Sequence, residues 1–175
     1  MVDHPFRARA WVFGNNIDTD QIVPGPYLMS PLEEQCQHAL EAISPGFAEK
    51  FERGSALIVG ANFGCGSARE FAPQVLKHLG VSVVVAESFG RIFFRNAIAL
   101  GLPVLAVRNV LLCVKQGDEV EIDLRKGTVM VPGGILMQGE PLNRVMLDCL
   151  KKGGILKVLQ DEAMRDEPHG RGSGG

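Results

Sequence analysis

The sequence predicts an α/β domain, three-layered and built on a mostly parallel sheet, from three features. Short Val-rich runs at 56–60, 81–87 and 104–107 alternate with helical stretches at 68–79 and 89–100; the runs are continuously apolar rather than alternating; and a glycine-rich loop at 61–66 joins the first run to the first helix. Strands apolar on both sides belong to a parallel sheet with helices over both faces. The chain has 175 residues, the size of one domain at about 100–200 residues each, and it reads as a single domain over 1–165 with a disordered tail at 166–175.

The other elements flank this β-α-β-α-β run. R-A-R-A-W-V-F at 7–13 reads as a strand, closed by the turn cluster Gly14-Asn15-Asn16. Residues 15–30 carry two prolines, one glycine and two aspartates without helical period, a long connection of the kind that is functional or disordered. Pro31 suits the first turn of a helix reaching about residue 43, with Ser30 as N-cap and Glu33 and Glu34 near the positive dipole end. Segments 119–124 and 128–131 around Arg125-Lys126-Gly127 read as an added β-hairpin ended by Pro132-Gly133-Gly134. In 141–152 the apolar positions 142, 145, 146, 149 and 150 form a helical stripe stopped by Gly153.

Composition narrows the function. At 46% hydrophobic and 22% charged residues, the chain is neither disordered nor a membrane protein, and a net charge of −2 without a basic cluster excludes a nucleic-acid or anionic-lipid footprint. Cys36, Cys65, Cys113 and Cys149 show no C-x-x-C spacing, which argues against a self-contained zinc or iron–sulfur site. The first residues lack a basic segment followed by an apolar one, so reduced cysteines and a cytoplasmic location are expected.

The most informative stretch is G-A-N-F-G-C-G-S-A-R-E-F at 60–71. Glycines leading from a strand into a helix bring backbone close to a ligand, and the N–H groups at the helix start suit a carboxylate or phosphate. Gly64-x-Gly66 lacks the third glycine of a dinucleotide fingerprint, although Glu87 stands about 20 residues on, as that fingerprint would have it. Ser67-Ala-Arg-Glu70 is also a capping box, so the Ser67 hydroxyl has a structural use as well as a chemical one. Arg69 opposes the helix dipole unless an anion sits there, in which case its guanidinium clamps a carboxylate.

Four segments in this order, N-I-D-T-D-Q-I-x-P-x-x-Y-L (16–28), G-A-N-F-G-C-G-S-A-R-E (60–70), A-E-S-F-G-R-I-F-F-R-N (86–96) and G-L-P (101–103), closely resemble the small subunits of 3-isopropylmalate dehydratase, with the related homoaconitase small subunits and the aconitase swivel domain. The resemblance implies a swivelling β/β/α domain in the cytoplasm that closes the active site of a separate large subunit. That subunit holds a [4Fe–4S] cluster whose iron takes the departing hydroxyl. It implies Ser67 as the base that removes the proton beside a carboxylate, Asp20 as a member of the catalytic network, and Arg69 as the carboxylate ligand, with Gly66 and Ala68 lining the substrate. Asp18 and Asp20 also read as Asx-turn formers. Two departures stand out: Ala68, where aconitase has a second serine, and Phe71, where histidine is common.

The same resemblance makes Tyr27, Leu28, Met29 and Ser30 the substrate-facing specificity loop. An arginine there would pair with an extra carboxylate; Met29 suits an isopropyl or methyl branch instead, although these residues also read as simple packing of the loop onto the domain. The expected reaction interconverts 2- and 3-isopropylmalate in leucine biosynthesis, with a dimethylmalate- or homoaconitate-type substrate as the alternative and a stand-alone anion- or nucleotide-binding module as the reading from another class. Self-association of the isolated chain is also expected, since a surface built for a partner is left uncovered.

Overall fold

The computed structural model describes residues 2–66, 70–155 and 157–159, so the tail expected at 166–175 lies outside the described residues. One seven-stranded sheet organises them, in the order β4-β3-β2-β1-β5-β6-β7. β1 (Phe6–Val12), β2 (Ala56–Val59), β3 (Val83–Ala86) and β4 (Val104–Ala106) are parallel, whereas β5 (Glu119–Asp123), β6 (Thr128–Val131) and β7 (Ile135–Gln138) add antiparallel to the far side of β1. Ala10 lies opposite Ala56 and Ile58 opposite Val85, while Ala8 faces Val120 across the switch in direction.

The burial pattern follows the sequence pattern. β2 and β3 are buried at every position, as continuous apolar runs require, and β5 alternates with Val120 and Ile122 inward. α2 (Leu32–Gln37), α4 (Phe71–Leu79), α5 (Arg91–Leu100) and α6 (Arg144–Lys151) pack in series, each on the next, with α3 (Phe47–Lys50) on α2. They form one connected series of helices packed with the sheet. Strands β2, β3 and β4 step in a single direction, so crossovers of the usual right-handed sense put α4 and α5 on the same face.

The sheet curls. The Glu140 N–H donates to the Ala106 carbonyl at 2.9 Å, so the chain leaving β7 reaches β4 at the opposite end of the strand order. Glycine permits this approach, since a Cβ on Gly139 would stand 2.3 Å from the Ala106 oxygen.

Other expectations are corrected in detail. The helix predicted to reach residue 43 stops at Gln37; Leu40 adopts φ +55° and turns its N–H to the Ile22 carbonyl at 3.1 Å. Pro31, not Ser30, occupies its N-cap, and no side chain caps it. Residues 15–30 are not structureless: α1 (Thr19–Ile22) and a 3-10 turn at Gly25–Tyr27 interrupt them. Pro132-Gly133-Gly134 does not end the hairpin but reverses the chain into β7, with φ +86° and +79° at the glycines and Val131 opposite Ile135. α6 starts at Arg144, where the Asn143 Oδ1 caps it by accepting from the Met146 N–H. Among the described residues no helix is long and apolar enough to cross a membrane.

Candidate active site at the ends of the parallel strands

Parallel strands deliver their loops to one end of the sheet, and in open α/β sheets ligands bind at the strands' carboxyl ends. The segments leaving β1, β2 and β3 interlock there. The Gly64 N–H donates to the Ile17 carbonyl at 2.7 Å and the Thr19 N–H to the Cys65 carbonyl at 3.0 Å, so that Asp18 and Cys65 form an isolated parallel bridge. The Phe63 N–H donates to the Ser88 carbonyl at 3.0 Å, the Gly90 N–H to the Phe63 carbonyl at 2.8 Å, and the Asn62 N–H to the Ser88 hydroxyl at 2.8 Å.

Glycine is dictated by contact in this knot. A Cβ on Gly64, at φ +71°, would stand 2.2 Å from the Phe93 ring, and one on Gly90 would stand 2.5 Å from the Gly64 carbonyl oxygen. Asparagines do the rest: the Asn15 Oδ1 accepts from the Ala61 N–H at 2.7 Å, and Asn16 and Asn62, both left-handed, are joined side chain to side chain at 3.2 Å. Sequence reasoning missed these asparagines; the Gly-Asn-Asn cluster at 14–16 was the available signal.

Asp18 is the N-cap of α1 in a capping box, its carboxylate accepting from the Gln21 N–H at 2.8 Å while the Gln21 Oε1 accepts from the Asp18 N–H at 3.0 Å. Asp20 sits one residue into α1, exposed, two positions beyond the Asp18–Cys65 bridge. Gly66, at φ +98°, ends the described part of the glycine loop against Asp18 and Thr19. Ser67, Ala68 and Arg69 lie outside the described residues, and with them the choice between capping box and base for Ser67.

The other expected site residues form a second patch. Tyr27 lies flat on His38, with ring centroids 3.6 Å apart, and the His38 Nδ1 is 2.6 Å from the Glu41 carboxylate. Leu28 packs partly against the core, whereas Met29 is 95% exposed. Loop packing therefore accounts for Tyr27 and Leu28 but not for Met29. Beside the glycine loop a cleft of about 420 Å³ is lined by Ser88, Phe89, Arg91, Arg95 and Arg108, with Glu87 and Glu140 at its walls.

No group of three or more His, Cys, Asp or Glu side chains among the described residues is arranged to hold a metal. The four cysteines are free and dispersed; Cys36 and Cys149 are buried with their sulfurs directed at the Val75 and Ile98 carbonyls. Burial pushes the Cys36 thiol up to about 11 and raises that of Cys149, the reverse of what a thiolate ligand needs. The donor set described does not fit an iron–sulfur cluster.

Residues 33–109 match the family model of the aconitase C-terminal domain. The chain is 46% identical over 167 residues to the methanogen homoaconitase small subunit of Methanothermobacter thermautotrophicus, covering 92% of this chain and 96% of that one. It is 44% identical over 161 residues to a 3-isopropylmalate dehydratase small subunit of Methanopyrus kandleri, covering 91% and 95%. The crystal structure of 3-isopropylmalate dehydratase from Methanocaldococcus jannaschii superposes with a TM-score of 0.87 at 35% identity, covering 95% of this chain and all of that one. With its fold matched by the solved structure and nearly its whole length matched by these relatives, the chain belongs to the 3-isopropylmalate dehydratase small-subunit family of the aconitase fold.

Proposed function

We propose that this chain is the small subunit of a cytoplasmic hydro-lyase that interconverts 2- and 3-isopropylmalate in leucine biosynthesis when joined to a large subunit. The observation that carries this reading is the knot of the 17–19 segment with the 64–66 loop, which brings the Asp18-Thr19-Asp20 motif to the residues immediately preceding Ser67. Ser67 removes the proton from the carbon beside a carboxylate, and the hydroxyl on the neighbouring carbon departs to leave an enoate that is rehydrated at the other position. A free serine hydroxyl is too weak an acid for this at neutral pH. Loop N–H groups at a helix start, with Arg69, stabilise its alkoxide in a closed site, each preorganised donor contributing about 3–4 kcal/mol. Arg69 also orients the substrate carboxylate, Asp20 belongs to the same network, and Gly66 and Ala68 line the substrate. Met29, flanked by Tyr27, Leu28 and Ser30, faces the apolar branch.

The family implies a [4Fe–4S] cluster, and we assign it to the large subunit because the cysteines described in this chain are scattered and partly buried as thiols. A homoaconitate-type substrate is the second reading, favoured by the 46% identity to a homoaconitase small subunit. The uncharged Met29 stands against it. The experiment mixes the purified chain with its cognate large subunit and assays isopropylmalate, citramalate and homoaconitate. Cluster-dependent dehydration, fastest on isopropylmalate, is expected, and Ser67→Ala lowers it by about 10²–10⁴ while changing stability by at most about 2 kcal/mol, the loss of a cap. No activity on any of the three overturns the reading.

A further inference from the structure

Met29, proposed above to face a substrate branch, is 95% exposed. Its backbone is fixed by its neighbours. The side-chain amide of Gln35, reaching up from α2, donates to the Leu28 carbonyl at 3.2 Å and to the Ser30 carbonyl at 2.9 Å, one on each side of Met29. Among the described residues, the other backbone ties at 28–30 are the local Leu28 N–H to Gly25 bond at 3.3 Å and the Ser30 N–H to Tyr27 bond at 3.0 Å.

Gln35 is 4% exposed, and its Oε1 is buried without a partner among the described residues. A buried amide with half its hydrogen-bonding capacity unmet is a costly way to fill a space that leucine or methionine fills at no such penalty. The compensating gain lies in the two bonds its N–H groups make to the loop. On the N-terminal side the Tyr27–His38 stack, with His38 held by Glu41, provides a second anchor, again from α2 and the turn that follows it.

We infer that Gln35 is a positioning residue for substrate selectivity: by gripping the carbonyls on either side of Met29, it sets where that side chain meets the apolar branch of a 2-substituted malate. The inference rests on the proposed role of the 27–30 loop. Gln35→Met keeps the volume and deletes both bonds; Gln35→Leu is a second variant of smaller size, read in the same way. Amide exchange on the full chain is expected to quicken at Leu28 and Ser30 by about tenfold, while β2 and β3 keep their protection. In the complex with the large subunit, the ratio of kcat/KM for isopropylmalate over citramalate falls by about tenfold through KM, with kcat within about twofold. Exchange or selectivity at the wild-type value, or an equal loss of kcat on both substrates, overturns it. Met29→Ala separates the two layers: if it moves the ratio and Gln35→Met does not, the grip alone is wrong, and if neither moves it, the reading of the loop is wrong and the grip with it.

Discussion

The glycine loop and the 27–30 loop are held by different means. At 60–66 the backbone is tied to the backbone of 14–19 and 88–90, and Gly60 and Gly64 stand where any Cβ would collide. At 27–30 the long-range ties come from side chains: Gln35 of α2 donates to the Leu28 and Ser30 carbonyls, and the His38 ring stacks on that of Tyr27. A region secured by main chain tolerates little variation in shape, and its residue types follow from geometry. One secured by side chains can be re-aimed by a single substitution.

Gly64→Ala strikes the first region hardest. A methyl group directed into the Phe93 ring at positive φ is expected to cost about 3 kcal/mol in urea unfolding and to remove turnover with it. A cost below about 1 kcal/mol would mean that the knot yields as readily as the other loop. Met29→Arg tests the second region. Stability is expected to stay within about 0.5 kcal/mol, because the side chain is exposed. Relative kcat/KM for a malate carrying a third carboxylate rises by about tenfold through a charge-assisted pair, and an unchanged ratio would detach Met29 from recognition.

The smallest effect is silent at neutral pH. Cys36 lies on α2 next to Gln35, its sulfur docked on the Val75 carbonyl of α4, and burial, aided by Glu33, raises its folded pKa from 9.0 to about 11. The stability contributed by the neutral thiol is complete below about pH 9 and is lost as pH rises through about 11. Unfolding midpoints should fall across that window, and Cys36→Ala should flatten the fall; exchange at 28–30 should quicken there before exchange at 60–66.

The same division governs what could be read from the sequence. The glycine loop was legible because Gly64 and Gly90 are required by contact and Gly66 by its positive φ, and the continuous valine runs of β2 and β3 announced a sheet buried on both sides. Gln35 was not legible, because a glutamine near Glu33 and Glu34 reads as helix surface and only the tertiary fold turns it inward. α1 was missed although Asp18-x-x-Gln21 is a capping-box spacing, since four residues carry no helical period. β7 was missed because Pro-Gly-Gly marks a stop as readily as a reversal.

The single backbone bond from Glu140 to Ala106 has a consequence for the life of the free subunit. An open parallel edge is a template on which other chains can add strands, and a chain awaiting its partner is exposed to that hazard for as long as it waits. By carrying the exit of β7 across to β4, Gly139 and Glu140 occupy that template at Ala106 from within. During synthesis the protection arrives only when residue 140 has emerged, well after β4 itself.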